Sequence, residues 1–266
     1  MPEVPETNKS LGQHWLHDPT ALNDIVGSAE VGPADTVLEI GPGLGTLTTV
    51  LCKTAKQVVA VEFDAKLANA LPRRVSANNL QIITQDILRF DFSQLPADYK
   101  IVANIPYYLT SNLIRVISET TNPPTVAVLL VQKEVAERVT AEPGAMSILS
   151  VTAQYYWHVD SGNIVPASLF TPPPKVDSQI LILEHRGDPL FQDVDAKTFF
   201  RLVKAGFSQR RKTLLNSLGA GLSISRDAML RICQSAGIDP ARRAQSLSLE
   251  EWHSLYISYQ LQAQNI

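Results

Sequence analysis

Thr36-Val-Leu-Glu-Ile-Gly-Pro-Gly-Leu-Gly-Thr46 is an apolar run that passes straight into three glycines at alternate positions. The first five residues read as a strand and Thr46 opens a helix, so Gly41, Gly43 and Gly45 carry the turn between them. A backbone that turns there while a ligand approaches must be free of Cβ atoms. Dinucleotide-binding turns look similar. Here, however, the spacing is GxGxG, one residue tighter than GxGxxG, and Glu39 precedes it.

Working outward, residues 58–62, 81–85, 101–105 and 126–131 are further short, mostly apolar runs separated by helical stretches. Runs without polar alternation suit central parallel strands covered on both faces. This rhythm predicts an α/β fold with a doubly wound, mostly parallel sheet. Asp18-Pro19 is an N-cap followed by a first-turn proline, so a helix is expected from there to about residue 29. Segments 155–165 and 176–184 flank Pro172-Pro173-Pro174 and are expected to add edge strands. After His185 the spacing becomes helical, over 196–208, 210–218, 225–236 and 248–262, with Gly219, Gly221 and Gly237 as stops. The expected domains are therefore 1–190, with residues 1–17 as an N-terminal arm, and a small helical domain over 191–266.

The chain has 266 residues, 45% of them hydrophobic, which is enough for an α/β core and a smaller second domain. No run approaches the roughly 20 apolar residues that cross a bilayer, and Met1-Pro-Glu-Val-Pro-Glu-Thr7 is unlike a signal peptide, so a cytoplasmic protein is expected. Cys52 and Cys233 are far apart and His17, His158, His185 and His253 fall in no metal spacing, so no metal is expected. Net charge is −3, which confines any RNA site to a local patch. Arg210-Arg211-Lys212, with Arg201 and Lys204 upstream, is the first candidate and Arg242-Arg243 the second. A solvated helix face would read the same way.

Glu62 ends the second strand, where a carboxylate can accept both ribose hydroxyls of a nucleoside or simply face water. Asp86 follows the third strand and can accept from an adenine amino group or cap a helix. After the fourth strand comes Asn104-Ile-Pro-Tyr107. It resembles the Asn/Asp-Pro-Pro-Tyr pattern of enzymes that methylate amino groups conjugated to a ring, and such an amine is a poor nucleophile until its nitrogen is drawn towards tetrahedral geometry. Two acceptors achieve that: the Asn104 side-chain oxygen and a backbone carbonyl near Pro106. Tyr107 would stack on the flipped base, while its neighbour Tyr108 is assigned to packing. Phe170, mounted beside the proline loop, is either the second face of that base sandwich or part of the edge-strand core.

Glu39-Ile-Gly-Pro-Gly-Leu-Gly45 resembles the cofactor loop of class I methyltransferases, with a Rossmann-like sheet. Together with Lys9-Ser-Leu-Gly-Gln-His-Trp-Leu16, Asn104-Ile-Pro-Tyr107 and Phe170-Thr-Pro-Pro-Pro-Lys-Val-Asp-Ser178, it resembles the ribosomal RNA adenine N6,N6-dimethyltransferases over nearly the whole chain. That resemblance implies S-adenosyl-L-methionine as cofactor, contacted by His14, Leu16, Gly41, Glu62, Asp86 and Asn104, with Asn104, Pro106, Tyr107 and Phe170 catalytic. Histidine and tryptophan stand at 14 and 15 where the family commonly has asparagine and phenylalanine.

The stretches 207–216 and 237–247 resemble the small-subunit branch. The implied activity is dimethylation of two adjacent adenosines near the 3′ end of 16S rRNA, within the immature 30S subunit, by a monomer. A 23S rRNA adenine methylase giving macrolide resistance shares the chemistry. A NAD-dependent oxidoreductase would share only the sheet and the acid after the second strand.

Overall fold

A computed structural model describes residues 13–263; Lys9-Ser-Leu-Gly12 of the expected N-terminal element lies outside the described residues. The strands are β1 (Trp15–Leu16), β2 (Thr36–Ile40), β3 (Gln57–Glu62), β4 (Leu80–Thr84), β5 (Lys100–Asn104), β6 (Val126–Gln132), β7 (Trp157–Val165), β8 (Phe170–Thr171) and β9 (Ser178–His185). The helices are α1 (Pro19–Ser28), α2 (Thr46–Thr54), α3 (Ala65–Arg74), α4 (Thr110–Glu119), α5 (Lys133–Val139), α6 (Ile148–Tyr156), α7 (Ala196–Phe207), α8 (Leu214–Leu222), α9 (Arg226–Ser235) and α10 (Leu249–Ala263).

Seven strands form one sheet in the order β4-β3-β2-β5-β6-β9-β7. The first five run parallel and β9 runs antiparallel to β6. This is the doubly wound, mostly parallel sheet expected. Its direction of winding reverses between β2 and β5, where open α/β sheets form their ligand crevice.

The chain divides into two compact units, residues 1–137 with 158–185, and residues 138–157 with 186–266. In the first, Ile25 and Val26 of α1 and Leu47 and Leu51 of α2 share a core with Val37, Val102 and Val128 of the sheet. Each such fully buried side chain stabilises by roughly 1.5–3 kcal/mol. Asp18 caps α1, its carboxylate accepting from the Ala21 amide at 2.8 Å, and Pro19 takes the first helical position, as predicted.

A single boundary after residue 190 does not describe this division. The stretch 138–157 joins the helical unit because Val151 and Tyr155 of α6 pack with Phe199, Leu202, Leu218 and Trp252. Tyr155 stacks on Phe199 at 5.2 Å between ring centroids. Ser147 and Ser150 start α6 with a reciprocal capping box, so Tyr155 and Tyr156 are helical and the expected strand begins only at Trp157.

Residues 210–213 are likewise not helical: α8 starts at Leu214, after Thr213. Gly219 and Gly221 lie inside α8, and Ser223, at φ 57°, ends it. Gly237, at φ 69°, does follow the end of α9 as expected.

Candidate active site

The cleft lies at the carboxyl ends of the strands. Its walls include His14, Leu16, Glu39, Gly41, Glu62, Asn104, Pro106 and Tyr107. The β2–β5 register pairs Val37 with Lys100 and Glu39 with Val102; carried on by two residues, it sets Gly41 beside Asn104. The topology thus brings the glycine turn and the Asn-Ile-Pro-Tyr turn together.

The glycines differ in what they accommodate. Gly41, at φ 66°, has open space where a side chain would stand, so its face is free for a ligand. Gly43, at φ 55°, has none: a Cβ there would meet the Trp15 ring at 2.4 Å. Its role is to seat the segment preceding α1, which the sequence alone does not reveal.

Glu62 is buried rather than facing water. Its two oxygens accept the Gly43 amide at 3.1 Å and the Asp64 amide at 2.9 Å, which fixes the carboxylate against the glycine turn. Burial nevertheless raises its pKa.

Glu39 is 1% exposed, and its Oε2 has no hydrogen-bond partner. Burial pushes this carboxyl up to about 8; the charge of Glu62 acts in the same direction and Thr48 opposes it. A buried carboxyl without full compensation stays neutral where an exposed one ionises. Because the folded-state value lies above the unfolded one, the stability it permits is complete in acid and is lost as pH rises through about 8. Glu39→Gln should remove that loss. In denaturant unfolding, the variant should gain on the wild type by about 2–4 kcal/mol between pH 5 and pH 9.

Asn104 sits at the end of β5 with its Nδ2 donating towards the His14 carbonyl at 3.5 Å. That contact turns Oδ1 into the free acceptor. The Pro106 carbonyl accepts the Leu109 amide at 2.9 Å, and Ile105 stands on the cleft wall directly after Asn104. The Tyr107 hydroxyl is hydrogen-bonded to Ser178 Oγ at 2.8 Å, and burial raises its pKa. His14 stacks near its ring, 5.9 Å between centroids at 22°, and His14 Nδ1 is 2.7 Å from the Pro172 carbonyl oxygen.

Two expected residues are placed elsewhere. Phe170 is 3% exposed and belongs to the core with Leu16 and Val165, the second of the positions expected for it. It is absent from the cleft wall. Asp86 caps a 3₁₀ turn, accepting from the Leu88 amide at 3.0 Å, and does not line the cleft either.

Conversely, the packing assignment for Tyr108 fails, since it is 63% exposed on the cleft wall, as is Phe63 at 64%. Neither exposure can be read from a neighbouring residue type. Ser178 was also missed, because only the fold brings β9 to Tyr107. Arg210, Arg211 and Lys212 are all exposed. Among the described residues no cluster of three or more His, Cys, Asp or Glu could hold a metal ion, and no helix is long and apolar enough to cross a membrane.

The family described as ribosomal RNA adenine dimethylase matches residues 4–261. The chain belongs to this family. One similar member is the ribosomal RNA small subunit methyltransferase A of Dehalococcoides mccartyi, 44% identical over 94% of this chain and 88% of the relative. Among solved structures, a dimethyladenosine transferase from Plasmodium falciparum superposes with a TM-score of 0.79 at 26% identity, covering 93% of this chain and 98% of that one. The 23S rRNA methyltransferase ErmE superposes with a TM-score of 0.74 at 28% identity, covering 92% and 99%. The adenine dimethylase fold is therefore shared by enzymes named for different ribosomal RNAs, and the small-subunit name is carried by the relative of higher identity.

Proposed function

We propose that this adenine dimethylase uses S-adenosyl-L-methionine to convert two adjacent adenosines near the 3′ end of 16S rRNA to N6,N6-dimethyladenosine. It works on the immature 30S subunit, as a monomer in the cytoplasm. The observation that carries the reading is the meeting of Asn104 and Tyr107 with the glycine turn in one cleft. The small-subunit target rests on the relatives' names and on 207–216 and 237–247. The 23S rRNA reading retains only the shared fold of ErmE, and the NAD-dependent oxidoreductase reading has no support from this family.

The cleft fits the methyl donor. Gly41 leaves room for a close approach, Glu62 is held where ribose hydroxyls can donate to it, and Glu39 offers a buried oxygen without a partner. His14 and Leu16 close the cleft from the N-terminal side. When bound, the cofactor supplies an electrophilic sulfonium methyl whose leaving thioether is neutral.

The chain's own residues prepare the acceptor. Asn104 Oδ1 and the Ile105 carbonyl take the two N6–H bonds, which turns the nitrogen lone pair out of conjugation and towards the methyl. Tyr107 holds the base by stacking, its hydroxyl tethered to Ser178. The proton that the amine would lose on methylation goes from the product nitrogen to solvent. No strong base is required. The exposed Arg210-Arg211-Lys212 turn meets backbone phosphates, while folded RNA is recognised largely by shape.

The deciding experiment incubates the protein with radiolabelled cofactor and under-methylated 30S particles, then maps the label. Two adjacent adenosines near the 16S 3′ end are expected. Label confined to 23S rRNA in a parallel incubation with 50S particles would overturn the reading.

A further inference from the structure

Among the described residues, six large hydrophobic side chains are strongly exposed, and two of them, Phe63 and Tyr108, line the same cleft. Aromatic surface left in water beside a pocket marks a contact surface rather than a packing fault. The two rings stand on different sides of it. Phe63 follows Glu62 at the end of β3, on the nucleoside side, whereas Tyr108 follows Tyr107 after β5, on the side of the methyl acceptor.

Tyr108 makes no hydrogen bond or ring contact among the described residues. Its backbone, however, is fixed. The 3₁₀ turn Tyr107–Leu109 is closed by the Leu109 amide on the Pro106 carbonyl at 2.9 Å and by Thr110 Oγ1 on the Tyr107 carbonyl at 3.1 Å. One rigid turn therefore presents two successive aromatic residues, the first half-buried and tethered, the second at the mouth.

We propose that Tyr108 is the stacking platform for the nucleotide adjacent to the adenosine being methylated. The inference rests on the dimethylase reading above. Drawing a base out of its stack strips a neighbour on each side of the contacts it had, and a ring outside the pocket replaces one of them. When the two target adenosines are adjacent, that neighbour is itself a purine, which offers a large surface to a phenol ring. Tyr107 and Tyr108 then hold consecutive bases, one in the cleft and one at its rim.

The test compares the full-length wild type with Tyr108→Ala and Tyr108→Phe on under-methylated 30S particles, measuring initial rates against particle and cofactor concentration. Cofactor affinity is measured separately by calorimetry. Tyr108→Ala should raise KM for the particles by roughly five- to hundredfold, leave cofactor affinity unchanged, and delay the second adenosine more than the first. Tyr108→Phe should restore the wild-type KM.

An active wild type with an unchanged KM in Tyr108→Ala would overturn the stacking role alone. So would a Tyr108→Phe variant as weak as the alanine one, since the hydroxyl would then be the group in use. A wild type that binds cofactor but leaves the particles unmodified would overturn the dimethylase reading and this inference with it.

Discussion

Asn104→Ala should leave a folded enzyme whose kcat on under-methylated 30S particles is lower by about 10²–10³-fold, the range associated with loss of a positioned polar group at a reacting centre. Particle KM should change little, because Tyr107 continues to grip the base. The reason lies in the orientation of the amide. With Nδ2 directed at the His14 carbonyl, the oxygen is left as the acceptor that the proposed mechanism uses, and alanine removes it without rebuilding it.

Asn104→Asp sharpens the point. It supplies an acceptor for the amine but sets its second oxygen against the His14 carbonyl, acceptor to acceptor. Its rate should fall between those of the wild type and Asn104→Ala. Single-turnover assays with saturating cofactor separate this chemical loss from any change in binding; wild-type rates in Asn104→Ala would show that the motif acts elsewhere.

The second large effect is expected at Gly43. Gly43→Ala places a Cβ 2.4 Å from the Trp15 ring and asks alanine to hold φ near 55°. Overpacking typically costs about 1–3 kcal/mol, and a left-handed residue with a side chain roughly 1–2 kcal/mol more. Relief comes by expelling Trp15, which carries His14 and Leu16 away from the cleft.

Cofactor affinity measured by calorimetry should therefore fall at least roughly tenfold. Combining Gly43→Ala with Trp15→Ala removes the steric part, so the double variant should lose less stability than the two single losses added together. Additive losses in the double variant would show that the ring and the turn do not interact.

Much of this arrangement was legible before folding. Thr36–Ile40 is mostly apolar, runs into glycine, and became β2 over the same residues; the other parallel strands moved by one residue at one or both ends. Asn104 and Tyr107 were legible as a motif following the fourth strand, and the structure sets both on the cleft wall.

What escaped depended on tertiary contact. Tyr155-Tyr156-Trp157 has strand-favouring residue types, yet the first two complete a helix because Tyr155 fills the core against Phe199. Arg210-Arg211-Lys212 favours helix, yet lies in the turn before Thr213, which precedes α8. Phe170 was open between a base and the core, and only the position of β8 decides it: Phe170 pairs with Leu16 and points inward. Tyr108 was expected to pack, and its exposure follows from the direction of one short turn.

The pairing of Trp15 with Thr171 and Leu16 with Phe170 has a bearing on how this chain can vary. Its antiparallel rungs are made by peptide groups, which are the same whatever letter is written at 14 or 15. Side chains add to it at two points, the His14 ring on the Pro172 carbonyl and the Trp15 ring against Gly43, so histidine and tryptophan contribute to a clasp whose peptide rungs do not require them. A substitution at 14 or 15 would then alter the lining of the cleft while leaving those rungs in place.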